Sequence, residues 1–127
     1  MLTDSGWARA AQDQPVSEVV VNAGAGVETT VATATLAAAP AGTYLALATI
    51  TAYSTGTTVA GYARLYAGAT QLQNRRNDLL VNAAPSQEHA CLVPHPGGDL
   101  TVTARVFCAA AYTIQPRGCS LVIVRIG

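Results

Sequence analysis

Lysine is absent from this 127-residue chain, and charge of either sign is scarce: Asp, Glu, Lys and Arg together make up 11% of it, against about 25% in an average soluble domain. The seven cations are all arginine (Arg9, Arg64, Arg75, Arg76, Arg105, Arg117 and Arg125), and seven acids cancel them. A formal net charge of zero without lysine argues against nucleic-acid binding, which rests on a basic face that neutralises phosphates. Disorder needs low hydrophobicity combined with high net charge. Half of this chain is hydrophobic, enough for one real core and, at this length, one domain.

Other scarcities narrow the class further. No run approaches the roughly 20 apolar residues that span a bilayer, so no membrane partner is expected. Met1–Pro15 carries Asp4, Arg9 and Asp13 and has no apolar stretch of the signal-peptide type. The expectation is therefore synthesis in a reducing cytoplasm, with Cys91, Cys108 and Cys119 as free apolar thiols. Three cysteines are in any case an odd number, which does not make a disulfide framework. The straight-chain helix formers are nearly missing, with three Glu, one Met and no Lys, so the abundant alanine does not signal helix.

What is present is β-branched. Thirteen Val, fifteen Thr and four Ile account for 32 of 127 residues, the types that favour a pleated, half-buried surface. Strand-like segments alternate with Gly, Pro, Asn and Asp. Met1–Gln14 reads as a polar arm carrying Trp7, and Val16–Asn22 as a first short strand. Val27–Leu36 places Thr30, Ala32, Ala34 and Leu36 on one side. Thr43–Tyr53 is apolar on both faces and belongs at the centre of a layered sheet. Thr58–Tyr66 sets Val59, Gly61, Ala63 and Leu65 opposite Tyr62, Arg64 and Tyr66, and Ala67-Gly68-Ala69 turns it into Thr70–Gln73. Asn74–Asp78 and Ala83–Glu88 read as loops, with short strands at Leu79–Asn82 and His89–Val93. Leu100–Cys108 presents Leu100, Val102, Ala104, Val106 and Cys108 to one side, and Cys119–Ile126 closes the chain. Eight to ten short strands in one domain predict an all-β, two-sheet antiparallel sandwich. The expected division is an N-terminal arm over residues 1–15 and a β-sandwich (jelly-roll) domain over 16–127.

Four pieces in order carry a resemblance: Gly42-Thr43-Tyr44-Leu45-Ala46-Leu47, Arg64-Leu65-Tyr66-Ala67-Gly68, Gly98-Asp99-Leu100-Thr101-Val102 and Gly118-Cys119-Ser120-Leu121-Val122-Ile123. Over about Val16 to Gly127 the chain resembles the C1q/TNF-like jelly roll, as found in phage virion proteins of the decoration or fibre-tip kind. The resemblance implies a threefold homotrimer. Composition points the same way, because outward Ala, Thr, Ser and Val suit packing against neighbouring copies better than solvation.

Few residues suggest chemistry. His89, Cys91 and His95 are the right types for zinc but match no standard spacing, so loop histidines and a buried thiol are expected, with no metal and no cofactor. Two histidines beside one Pro-rich loop and no Gly-x-Ser-x-Gly elbow leave no catalytic constellation. Asp78, Glu88 and Asp99 fall in turns, where carboxylates cap backbone N–H groups. The expectation is that the protein is not an enzyme. Arg75 and Arg76, in the most polar stretch, are either a partner-binding loop or a solvated one paired with Asp78. Tyr62, Arg64 and Tyr66 form either a ligand face, of the sugar-binding kind, or packing. Trp7 and Arg9 in the arm are expected to anchor on a partner.

Taken with the resemblance, these features predict a structural virion protein: a trimeric capsid decoration protein that stabilises a phage-like particle, with itself and a capsid or other virion protein as partners. The alternative is a receptor- or carbohydrate-binding fibre-tip module. A C1q-like signalling ligand is disfavoured by the lack of a secretion signal.

Overall fold

Period-two alternation of β-branched and small residues makes strands whose inner side chains need a facing layer. In a computed structural model, the described residues are 10–13, 19–21, 27–54, 60–76, 86–108, 112–114 and 119–127. They form ten strands: β1 (Ala10–Asp13), β2 (Val19–Val21), β3 (Val27–Ala39), β4 (Gly42–Ser54), β5 (Gly61–Ala67), β6 (Thr70–Arg76), β7 (Ser86–His95), β8 (Gly98–Cys108), β9 (Tyr112–Ile114) and β10 (Ser120–Arg125). All pairings are antiparallel. The expected all-β, two-sheet jelly-roll sandwich is what the chain builds.

A six-stranded sheet is organised around β4, whose one edge is shared by β10 and then β9, while β7 takes the other edge. β1 extends this sheet beyond β10, and β2 extends it beyond β9. The second sheet has four strands in the order β3-β8-β5-β6. The long strand expected at Thr43–Tyr53 is thus central, as its two apolar faces require. Tyr44, Ala46, Ala48, Ile50 and Ala52 point into the core, where Leu65, Val102, Val106, Leu121 and Ile123 meet them. Many core positions are alanine, so the two tyrosines at the centre supply much of the bulk. Tyr44 donates its hydroxyl to Pro40 O at 2.8 Å, and the Tyr112 hydroxyl lies 3.1 Å from Val106 O and 2.9 Å from Thr29 Oγ1. Both buried phenols are therefore satisfied.

Several boundaries differ from the sequence expectations. Ala10–Asp13, within the stretch read as an arm, pairs with β10 as an edge strand. Asn74, Arg75 and Arg76 are not in a loop but end β6, and Ser86–Glu88 begins β7. The physical reason is pairing: β5 and β4 offer free edges there, and ladder hydrogen bonds outweigh a polar composition. In β3, the extra residue Val31 forms a bulge between Thr30 and Ala32, so Val31 and Ala32 are both buried and Thr30 turns outward. The expectation that Thr30 shares a face with Ala32 is corrected accordingly. The strand predicted at Leu79–Asn82 lies outside the described residues.

Candidate functional site on two exposed sheet faces

The outer face of the four-stranded sheet is assembled by register. One row across it reads Glu28, Phe107, Tyr62, Arg76, and the next reads Thr30, Arg105, Arg64, Asn74. Arg64 and Arg105 therefore stand directly opposite each other on adjacent strands. Glu28 joins them: its Oε2 accepts from Arg64 Nη1 at 2.8 Å and its Oε1 accepts from Arg105 Nη1 at 3.0 Å. The Tyr66 hydroxyl sits 3.2 Å from both Glu28 Oε2 and Gln71 Oε1 and donates its one proton to either. Partial burial pushes the Glu28 carboxyl up, but the hydrogen bonds from Arg64, Arg105 and Tyr66 and the Arg105 charge outweigh it, holding the group below its usual range.

Aromatic rings hold the guanidinium groups from beneath. The Arg64 Cζ lies 4.4 Å from the Phe107 ring centroid and 5.9 Å from that of Tyr62, and the Arg105 Cζ lies 4.0 Å from that of Tyr66. These are cation–π distances. Arg64 Nε also donates to Asn74 Oδ1 at 3.2 Å, and Arg105 Nε to Thr103 Oγ1 at 3.1 Å. Nε and Nη1 of both arginines are thus engaged, and among the described residues neither Nη2 has a hydrogen-bond partner.

The outer face of the six-stranded sheet is different in kind. Across β7, β4 and β10 one row is Leu92, Leu45, Val124 and the next is Ala90, Leu47, Val122. Leu47 is 43% exposed and Leu92 60%. A depression of about 420 Å³ lies on this face, bordered by Leu47, Thr49, Glu88, Val122 and Arg75. Arg75 comes from the other sheet: it pairs with Ala63, whose side chain is buried, and so lies on the opposite side of β6 from Arg76. Beneath this edge His89 is buried, with neither ring nitrogen hydrogen-bonded among the described residues. Desolvation, and then the Arg75 charge, push its pKa down, so the imidazole is neutral.

The structure thus unites Tyr62, Arg64 and Tyr66 on one face and separates Arg75 from Arg76. Trp7 and Arg9 lie outside the described residues. Cys91 and His89 share the inward side of β7, whereas His95 stacks edge-on against Tyr44 with centroids 5.8 Å apart and pairs a ring nitrogen with Gly98 O at 2.9 Å. Cys108 and Cys119 are buried, their thiols directed at Ala60 O and Thr51 O, each at 3.7 Å. Asp99 accepts a hydrogen bond from Ala38 N at 2.8 Å and so caps the β3–β4 turn. Sequence reasoning missed Glu28, Arg105 and Phe107. A signal existed, because the outward phase of Leu100–Cys108 is Thr101, Thr103, Arg105, Phe107, which matches Tyr62, Arg64, Tyr66 in type.

No protein-family model matches the chain, and a search of curated proteins finds no match. Solved structures do share its fold. The VP2 subviral particle of infectious bursal disease virus is 12% identical with a TM-score of 0.66, over 94% of this chain and 33% of that one. The chain thus spans about a third of that VP2 chain. Eiger TNF from S. frugiperda is 14% identical with a TM-score of 0.61, covering 93% of this chain and 92% of that one. A family 35 carbohydrate binding module from an environmental isolate is 19% identical at a TM-score of 0.51, over 89% and 80%. The likeness is one of fold.

Proposed function

We propose that this chain is a structural virion protein, a homotrimeric decoration protein that binds and stabilises a phage-like capsid and carries out no catalysis. The observation that carries the reading is the apolar outer face of β7, β4 and β10, where Leu47 and Leu92 are exposed. Two rows of Leu, Val and Ala form an apolar patch of the kind that marks an interaction surface, with Arg75 and Glu88 only at its border. A second and third copy of the chain are its occupants, because a threefold arrangement buries the same patch on every protomer. Arg75, at the border of that patch, is placed to fork onto a neighbour's carboxylate or carbonyl. Trp7 and Arg9, with Arg76, would contact the shell. Each added contact favours the assembled particle by mass action, since the trimer binds shell subunits only where they meet. The protein would accordingly be found in the virion.

A carbohydrate-binding fibre-tip role has less support. Sugar recognition needs open ring faces, and guanidinium groups already cover those of Phe107 and Tyr66. The test is co-expression with the capsid protein encoded nearest to its gene, followed by gradient sedimentation of the shells. The expected result is co-sedimentation in fixed ratio and shells that resist heating longer. Shells that sediment without the protein would overturn the proposal.

A further inference from the structure

On the opposite face, we infer that Arg64 and Arg105 form a docking site for the carboxylates of an acidic segment of a partner protein. The inference rests on the four-stranded sheet alone and is independent of the self-association proposed above. Like charges placed directly opposite on neighbouring strands are destabilising, yet Arg64 and Arg105 are paired in this way. Glu28 offsets only one of the two, leaving the trio with an excess positive charge in a chain whose total is zero. Ion pairing and ring stacking hold the arrangement together but leave that one charge over, and a local departure of this kind is where function is expected.

The geometry selects the ligand. Stacking on Phe107 and Tyr66, together with bonds to Asn74 and Thr103, fixes both guanidinium planes before any ligand arrives. Each remaining Nη2 can donate a single charge-assisted hydrogen bond to a carboxylate oxygen, so the opposed pair suits carboxylates that meet both arginines. The ordering cost is already met within the fold, which raises affinity. A saccharide finds the ring faces occupied, and a nucleic acid finds too little charge to release its counterions. The surface is the open side of a pleated sheet, which suits an extended protein segment presenting Asp or Glu. Arginine and tyrosine side by side are also the residue types that dominate protein interfaces.

The test is titration of the full chain with hexaglutamate, following the arginine Nε–H resonances by NMR. Arg64 and Arg105 are expected to shift saturably, with no response to hexaglutamine. Arg64→Lys keeps the charge but loses the stacked guanidinium plane and its Nη2 donor, and should weaken binding about tenfold, while Glu28→Gln should tighten it. Absent shifts, shifts confined to Arg75, Arg76 and Arg125, or an unchanged affinity in Arg64→Lys would overturn the inference. Equal or tighter binding of hexagalacturonate would overturn the protein partner in favour of an acidic sugar. If either variant fails to fold, the wild-type resonances decide the matter.

Discussion

The double substitution Leu47→Glu and Leu92→Glu tests the self-association face. In the single chain these leucines keep 43% and 60% of their surface exposed. Fully burying a leucine is worth about 1.5–3 kcal/mol, so roughly 1 kcal/mol per leucine is left to be gained on association. With both leucines on each of three protomers, that comes to about 6 kcal/mol per trimer. Glutamate forfeits this gain and adds a desolvation penalty of several kcal/mol for each unpaired carboxylate that the interface encloses. Together these losses exceed the roughly 8 kcal/mol that separates micromolar binding from none. Both side chains point away from the core, so the fold should survive, and circular dichroism should keep its β signature. Multi-angle light scattering should give a wild-type mass three times the 13.0 kDa of one chain and a variant mass equal to one chain. A double variant that keeps the wild-type mass, or a wild type that elutes as a single chain, would refute the reasoning.

Three further outcomes are expected. Tyr112→Phe removes a buried hydroxyl shared by Val106 O and Thr29 and should lower unfolding stability by about 1–2 kcal/mol, read from urea titration. Gly42→Ala sets a methyl group against Gly127 O and within 2.9 Å of Arg125 Nε, at a φ of +155°. It should cost about 1–3 kcal/mol and speed hydrogen exchange at Ile126, whose N–H bonds Thr43 O. Acidification should weaken the fold in two stages. The neutral, buried His89 has a folded pKa below the ordinary 6.5, so the unfolded chain takes up the proton first. Stability is then full above 6.5 and falls as pH drops towards the folded value. Glu28, also held low, contributes stability above 4.5 that is lost as pH falls through its lower folded pKa. His89→Leu should abolish only the first stage and Glu28→Gln only the second, measured as denaturation midpoints against pH.

Much of the architecture was legible because a strand buried on one face writes its period into the sequence. Leu100, Val102, Ala104, Val106 and Cys108 are buried as alternation predicts, and so are Ala63 and Leu65. Thr43–Tyr53 announced its central place by being apolar on both sides, and β4 pairs on both edges. Boundaries were harder. Asn74, Arg75 and Arg76 have loop composition, and only the edge offered by β5 makes them strand. Nothing local to those residues encodes that edge.

The arginine–aromatic face shows where a single strand's pattern stops informing. Alternation says that Arg64 and Arg105 both point outward, but it cannot say that they face each other. That depends on the β5–β8 register, fixed by hairpins and core packing elsewhere. Glu28 was hidden for a second reason. Counting back in twos from the buried Leu36, Ala34 and Ala32 assigns Glu28 to the core side, where an acid would be read as a strand end. The one-residue bulge at Val31 reverses the phase, so the strand's N-terminal residues turn Glu28 out towards Arg64 and Arg105. A bulge has no residue signature in this run of Thr, Val and Ala. The hub of the candidate site is therefore set by a backbone irregularity, and its charge balance becomes visible only once β3, β8 and β5 lie side by side.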